Sequence, residues 1–171
     1  MLNLKDYIRN IPDFPTKGIQ FKDITTLLKD AQAFQEAVDS LARSLEGIDV
    51  DVIVGPEARG FLFGAPLAYA MGKGFVLARK PGKLPAQTAR YEYDLEYGTD
   101  ALEIHIDAIN KGMRVAIVDD LLATGGTALA VAKLVELAGG TVTAIRFALE
   151  LKELEGRTLL KEYNVDALVA Y

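Results

Sequence analysis

Residues 115–127, Val-Ala-Ile-Val-Asp-Asp-Leu-Leu-Ala-Thr-Gly-Gly-Thr, constrain the fold more than any other part of the chain. The unbroken apolar run at 115–118 has the character of a parallel strand covered on both faces. Residues 128–137 then place apolar side chains at the 3.6-residue spacing of a helix packed on a sheet. Strand, loop and helix start follow one another, as in a parallel α/β sheet. Ligands of such sheets collect beyond the carboxyl ends of the strands, where Asp119 and Asp120 fall.

The loop has the makings of an anion site. Gly125 and Gly126 can reach conformations that aim several backbone N–H groups at one anion. A helix N-terminus adds partial positive charge, and Ala123, Thr124 and Thr127 complete the wrapping. Two carboxylates nearby suit the hydroxyls of a sugar and would repel a second phosphate, so the pattern fits a sugar phosphate. The plainer alternative is that the acids end a strand and the glycines make a tight turn. The full thirteen-residue run favours the phosphate site. It contains no Gly-x-x-x-x-Gly-Lys, so it is not a Walker loop.

The rest of the chain agrees with an α/β core. With 171 residues, 50% of them apolar, there is enough chain for one domain, 1–171, with a full core. A short helix is expected at 4–9, a loop at 12–22 and an amphipathic helix at 31–45. Strands are expected at 51–54, 74–78, 114–118, 142–149 and 167–170, with helices at 61–71, 127–138 and 154–163. The fold class is a doubly wound, mostly parallel sheet. A formal charge of -5 without a basic stripe argues against nucleic acid as a partner. The start of the chain has no basic segment leading into an apolar core, and no apolar stretch approaches about 18 residues. A cytoplasmic location and no membrane association are expected.

Residues 80–110 are more than this core requires. Tyr91, Tyr93, Leu95 and Tyr97 alternate with polar residues, as do Leu102, Ile104 and Ile106, which predicts a hairpin turning at 98–100. Insertions of this size are either lids or solvated surface ribbons. The single histidine, His105, has no Cys or second His beside it, and a solvated or hairpin-paired role is expected in place of metal ligation.

The 115–127 run resembles the phosphoribosyl pyrophosphate signature of the type I phosphoribosyltransferases, and its Leu-Leu-Ala-Thr-Gly-Gly-Thr portion resembles the adenine branch of that family. Three more segments resemble the same branch: Asp-Phe-Pro-Thr-Lys-Gly-Ile-Gln-Phe-Lys-Asp-Ile at 13–24, Ala-Arg-Gly-Phe-Leu-Phe-Gly at 58–64, and Arg-Lys-Pro-Gly-Lys-Leu-Pro at 79–85 leading to Leu-Glu-Tyr-Gly at 95–98. The resemblance covers nearly the whole chain.

It implies a type I fold with a flexible hairpin hood over the active site at about 80–110 and a small N-terminal base-binding segment. The implied reaction is displacement of pyrophosphate from C1 of phosphoribosyl pyrophosphate by N9 of adenine, giving AMP in purine salvage. Such a glycosyl transfer passes through an oxocarbenium-like sugar and needs no protein nucleophile, so positioning and preorganised charge carry the rate.

Under this resemblance Asp119 and Asp120 take the ribose hydroxyls, and Ala123, Thr124, Gly125, Gly126 and Thr127 take the 5′-phosphate. Ala58, Arg59, Lys80 and Lys83, with Arg79 beside them, face pyrophosphate. For Arg59 the alternative is a structural arginine that caps the sheet. Phe21 offers an aromatic face to the purine, while backbone groups around Gln20 and Lys22 read its edge; packing of Phe14 and Phe21 into the core is the structural alternative. Glu96 is the candidate to remove the N9 proton, with Tyr97 beside it in the hood. Mg²⁺ is implied as a cofactor held mainly through substrate oxygens and water, with no all-protein metal site. A homodimer is implied. Two other readings stay open: a regulator that keeps the sugar-phosphate pocket as a sensor, and the same reaction on a 6-oxopurine.

Overall fold

The structure is a computed structural model, and it describes residues 2–95 and 98–171. The expected short helix is a single 3-10 turn, Leu4–Tyr7, followed by strand β1, Arg9–Pro12. The 12–22 loop gives way at its end to β2, Gln20–Asp23, which pairs antiparallel with β1. A bidentate contact from Arg9 Nε and Nη2 to Asp23 Oδ2, at 3.0 and 2.6 Å, ties the end of this hairpin. A short helix α1, Thr25–Leu28, leads to α2, Ala31–Ser44, whose N-terminus is capped by the Asp30 carboxylate on Gln32 N and Ala33 N.

The core sheet follows. It contains β3 (Val52–Pro56), β4 (Gly74–Ala78), β7 (Arg114–Leu122), β8 (Thr141–Glu150) and β9 (Val165–Ala170) in the order β4-β3-β7-β8-β9, all parallel. Helix α3, Gly60–Ala70, connects β3 to β4, and α4, Gly126–Leu137, connects β7 to β8. Side chains of β7 alternate between the faces: Ala116 and Val118 pack with α2 and α3, while Val115 and Ile117 pack with α4. The doubly wound expectation is met.

Between β4 and β7 the hairpin of β5 (Thr88–Leu95) and β6 (Gly98–His105) lies over the α4 side, with Leu102 and Ile104 buried. Gly98, Thr99 and Asp100 are strand residues paired with Leu95, Asp94 and Tyr93, so the turn is not at 98–100 as the sequence suggested. Glu103, expected on the solvent face, is buried because its backbone pairs with Arg79 and its carboxylate accepts from Gly82 N. His105 pairs with Thr88 across the hairpin, and its Nε2 accepts from Ala86 N.

The expected helix at 154–163 is replaced by short 3-10 turns, Lys152–Leu154 and Gly156–Thr158. Glu155, between them at φ +52°, breaks the helical path. Leu154 and Leu159 are exposed, while Leu160 is buried in the core.

Candidate active site

The chain leaves β3 through α3 to β4 on one side, and β7 lies on the other side of β3. The carboxyl ends of β3 and β7 therefore diverge, which is the crevice where open α/β sheets bind ligands. A cleft of about 240 Å³ lies there, lined by Glu57, Ala58 and Arg59 after β3, by residues 119–128, and by Phe147 of β8. Of the sequence-predicted site residues it brings together Ala58, Arg59, Asp119, Asp120, Ala123, Thr124, Gly125, Gly126 and Thr127.

Both acids belong to the strand, which runs to Leu122 because pairing with β8 continues past the apolar run, Asp119 opposite Phe147 and Leu121 opposite Leu149. This buries them: Asp119 is 9% exposed and Asp120 6%. Asp119 Oδ1 accepts from Asp120 N at 2.8 Å, and Arg59 Nε meets Asp120 Oδ2 at 2.9 Å. Burial, reinforced by the neighbouring Asp120 charge, pushes the Asp119 carboxyl well above the usual carboxylate range. Burial also raises Asp120, with the Arg59 guanidinium pulling the other way. Arg59 is half-exposed and reaches across from the β3 loop to Asp120, so it links the two sides of the cleft.

Two glycines make this geometry possible. At Gly60, the first residue of α3, a Cβ would fall 3.0 Å from Asp119 Oδ1 and 2.8 Å from Pro56 Cδ. Gly125 has φ +89°, a left-handed conformation that places it as the N-cap of α4. No side-chain hydrogen bond caps that helix, so its first amides, on residues that line the cleft, have no side-chain partner. The peptide between Glu57 and Ala58 is cis.

The other predicted residues lie apart from the cleft lining. Lys80 Nζ is paired with Asp100 Oδ2, which also accepts from the Tyr93 hydroxyl, and Lys80 N donates to Glu57 Oε1. Arg79 Nε lies 3.5 Å from the same Glu57 oxygen. Lys83 is exposed, and its carbonyl accepts from Arg79. Gln20 accepts from Asn10 Nδ2, and Lys22 donates to Asn10 Oδ1 while its ammonium sits 4.2 Å from the centre of the Tyr171 ring. Phe14 and Phe21 stack edge to face at 5.1 Å outside the buried core, so the core-packing alternative does not hold. Glu96 and Tyr97 fall outside the described residues.

Sequence reasoning missed Glu57 and Phe147. Glu57 directly follows a parallel strand at the crevice, a position that marks it; Phe147 is signalled only by its pairing opposite Asp119. Among the described residues no group of three or more His, Cys, Asp or Glu is arranged to hold a metal ion, and no helix is long and apolar enough to cross a membrane.

A crevice at the switch point, with a buried acid pair beside a glycine turn that opens a helix, defines a binder of phosphorylated sugars. Residues 25–168 match the family described as phosphoribosyl transferase domain. The chain is 64% identical over 170 residues to a Clostridium perfringens adenine phosphoribosyltransferase, covering 99% of each. It superposes on the crystal structure of adenine phosphoribosyltransferase from Thermoanaerobacter pseudethanolicus with a TM-score of 0.95 at 62% identity, covering 98% of each chain. The Saccharomyces cerevisiae enzyme, crystallised with D-2,5-dideoxy-2,5-imino-altritol 1,6-bisphosphate and adenine, gives a TM-score of 0.90 at 41% identity, covering 96% of each. The chain belongs to the adenine phosphoribosyltransferases, within the phosphoribosyl transferase family, and is a glycosyltransferase.

Proposed function

We propose that the protein transfers the phosphoribosyl group of 5-phosphoribosyl 1-pyrophosphate to N9 of adenine, giving AMP and pyrophosphate in purine salvage. The observation that carries this is the buried Asp119-Asp120 pair beside the amide-rich turn at 124–127, in a chain with full-length similarity to adenine phosphoribosyltransferases. The yeast relative's complex, an imino sugar carrying two phosphates together with adenine, supports the same ligand set here.

In this reading Asp119 and Asp120 accept from the ribose hydroxyls. The 5′-phosphate rests on the amides and hydroxyls of residues 123–127, aided by the α4 N-terminus. Ala58 and Arg59 receive pyrophosphate; because Arg59 is also bound to Asp120, the cation meeting the leaving group is indexed to the sugar. Lys80 and Lys83 add positive charge from the hood, Lys80 on leaving Asp100. Gln20, Phe21 and Lys22 form the adenine segment, where exposed Phe14 and half-buried Phe21 together offer an aromatic surface. Glu96 takes the N9 proton as the C1–N9 bond forms and the bond from C1 to pyrophosphate breaks, and Tyr97 closes with it. Holding the partners in line and excluding water supplies most of the rate.

Mg²⁺ suits this donor set. One of the two acids is already engaged by Arg59, which leaves too few protein oxygens for a cage and fits an ion held by substrate oxygens and water. When bound, it neutralises charge on the departing pyrophosphate.

Residues 1–171 act as one domain with the hood at about 80–110, a reading supported by Leu4, Tyr7 and Ile8 packing into the same cluster as α2 and α3. The protein works as a homodimer. Helix α3 has no charged residue, and its Leu62 and Tyr69, with Leu77 of the edge strand β4, are exposed, as expected of a face covered by a second copy. A sugar that carries both a phosphate and a pyrophosphate does not cross membranes, which supports a cytoplasmic location.

Replacing Asp119 and Asp120 together by Ala should abolish phosphoribosyl pyrophosphate binding, read by titration calorimetry, while far-UV circular dichroism keeps its shape. Unchanged affinity would refute the ribose assignment.

A further inference from the structure

The phosphate turn has no side-chain cap of its own, so its position depends on what packs behind it. That backing is the segment after β8, the region where the expected helix fails to form. Leu151 N donates to Leu122 O at 2.9 Å, which brings the segment under the turn. Gly156 is buried there, backbone against backbone. A Cβ added to Gly156 would collide with Ala123 O and fall 2.8 Å from Leu122 Cδ1, and one added to Gly125 would fall 2.6 Å from Gly156 O.

The next residue anchors this contact. Arg157 Nε and Nη2 donate to the two oxygens of Glu150 at 2.7 and 2.8 Å, and Nη1 donates to Val165 O at 2.8 Å. Glu150 is the last residue of β8, is 5% exposed, and pairs in register with Leu122. A planar guanidinium on a buried carboxylate fixes direction as well as distance. Because Glu150 is fixed to the sheet, Arg157 is fixed to the sheet, and Gly156 with it. None of residues 150–157 lines the cleft.

We propose that Arg157, held on Glu150, is a positioning residue that presses Gly156 against Ala123 and Gly125 and thereby sets the amides that receive the 5′-phosphate. The proposal rests on the reading of that turn as the phosphate site. It predicts an effect confined to one end of the ligand: the sugar phosphate loses its grip while pyrophosphate, on the far side of the cleft, keeps its own.

The test uses the full chain with Arg157→Met, Arg157→Lys and Gly156→Ala. Affinities for ribose 5-phosphate and for pyrophosphate with Mg²⁺ are measured by calorimetry, alongside kcat and the KM for phosphoribosyl pyrophosphate. Arg157→Met should weaken ribose 5-phosphate about tenfold and raise KM in parallel, with pyrophosphate affinity and kcat held within about twofold. Arg157→Lys, which keeps the charge but loses the fork, should recover part of the loss, and Gly156→Ala should lose more than either. Equal weakening of both ligands by Arg157→Met, or unchanged ribose 5-phosphate affinity in Arg157→Met whatever Gly156→Ala does, overturns the proposal. Gly126→Asp, which puts a carboxylate in the turn, is the control on the underlying reading. If it binds ribose 5-phosphate like the unsubstituted protein, the phosphate site itself is misassigned and the proposal falls with it.

Discussion

Gly60→Ala separates the placement of Asp119 from the stability of the fold. An ideal Cβ at Gly60 lies 2.8 Å from Pro56 Cδ, 3.2 Å from Pro56 Cγ and 3.0 Å from Asp119 Oδ1. Carbon atoms rest at about 3.5–4.0 Å, so the Pro56 Cδ contact is too close by roughly 0.7 Å, while Asp119 Oδ1 and Pro56 Cγ need give by only a few tenths. Pro56 is buried in β3, between β4 and β7, so the start of α3 must move away from it, and the Asp119 carboxylate packed against Gly60 shifts with that movement. Overpacking of this kind costs about 1–3 kcal/mol, and replacing Gly by Ala in a helix offsets about 1 kcal/mol. The net loss of about 0–2 kcal/mol lowers Tm by at most about 8 °C in a chain of this length. Misplacing a substrate-positioning group by about 1 Å costs about 10²-fold in rate, so a shift of a few tenths should lower kcat/KM for phosphoribosyl pyrophosphate by about three- to tenfold. Steady-state kinetics and a thermal melt on the same preparation decide the matter. A Tm lowered as expected with kcat/KM unchanged would show that the position of the Asp119 carboxylate does not govern the sugar.

Asp119→Asn should trade affinity for stability. The folded chain holds the Asp119 proton more tightly than the unfolded chain does, so this group's contribution to stability is complete below the ordinary carboxylate pKa and is lost as pH rises through the raised one. The Asn protein should therefore melt higher than the unsubstituted protein at pH 7, by about 1.4 kcal/mol for each tenfold difference in proton affinity. The gain should vanish below the usual value of 3.8, and phosphoribosyl pyrophosphate should bind more weakly; a lower melting temperature at pH 7 contradicts the burial argument. Glu96→Gln should slow turnover more than it weakens binding, and an unaltered turnover number removes Glu96 from the chemistry.

The parts of the fold that could be read from the sequence are those set by local pattern. Strand β4 occupies 74–78 as expected, and α4 begins within a residue of its expected start, because an apolar run or a 3.6-residue stripe needs no knowledge of the partner. Strand β7 is longer than expected because two acids conceal a strand whose hydrogen bonds depend on β8. The 154–163 segment misleads for the opposite reason: nothing in its local pattern announces Glu155 at positive φ or the demand for Gly156 beneath the phosphate turn, which together rule the helix out. The β1-β2 hairpin hides in a stretch rich in Pro and Gly because its register is fixed by the Arg9-Asp23 pair across it. In the site, the two strand ends that form the crevice were recognisable from Arg59 and the acid pair. The salt bridge joining Arg59 to Asp120 was not, since it arises only when β3 and β7 become neighbours.

The most direct measurement is product formation by the purified protein incubated with phosphoribosyl pyrophosphate and Mg²⁺ and, in parallel, adenine, hypoxanthine, guanine or uracil. AMP and an equal amount of pyrophosphate from adenine alone is the expected result. Measurable binding of phosphoribosyl pyrophosphate with no nucleotide formed from any base would contradict it and would favour a sensor over an enzyme.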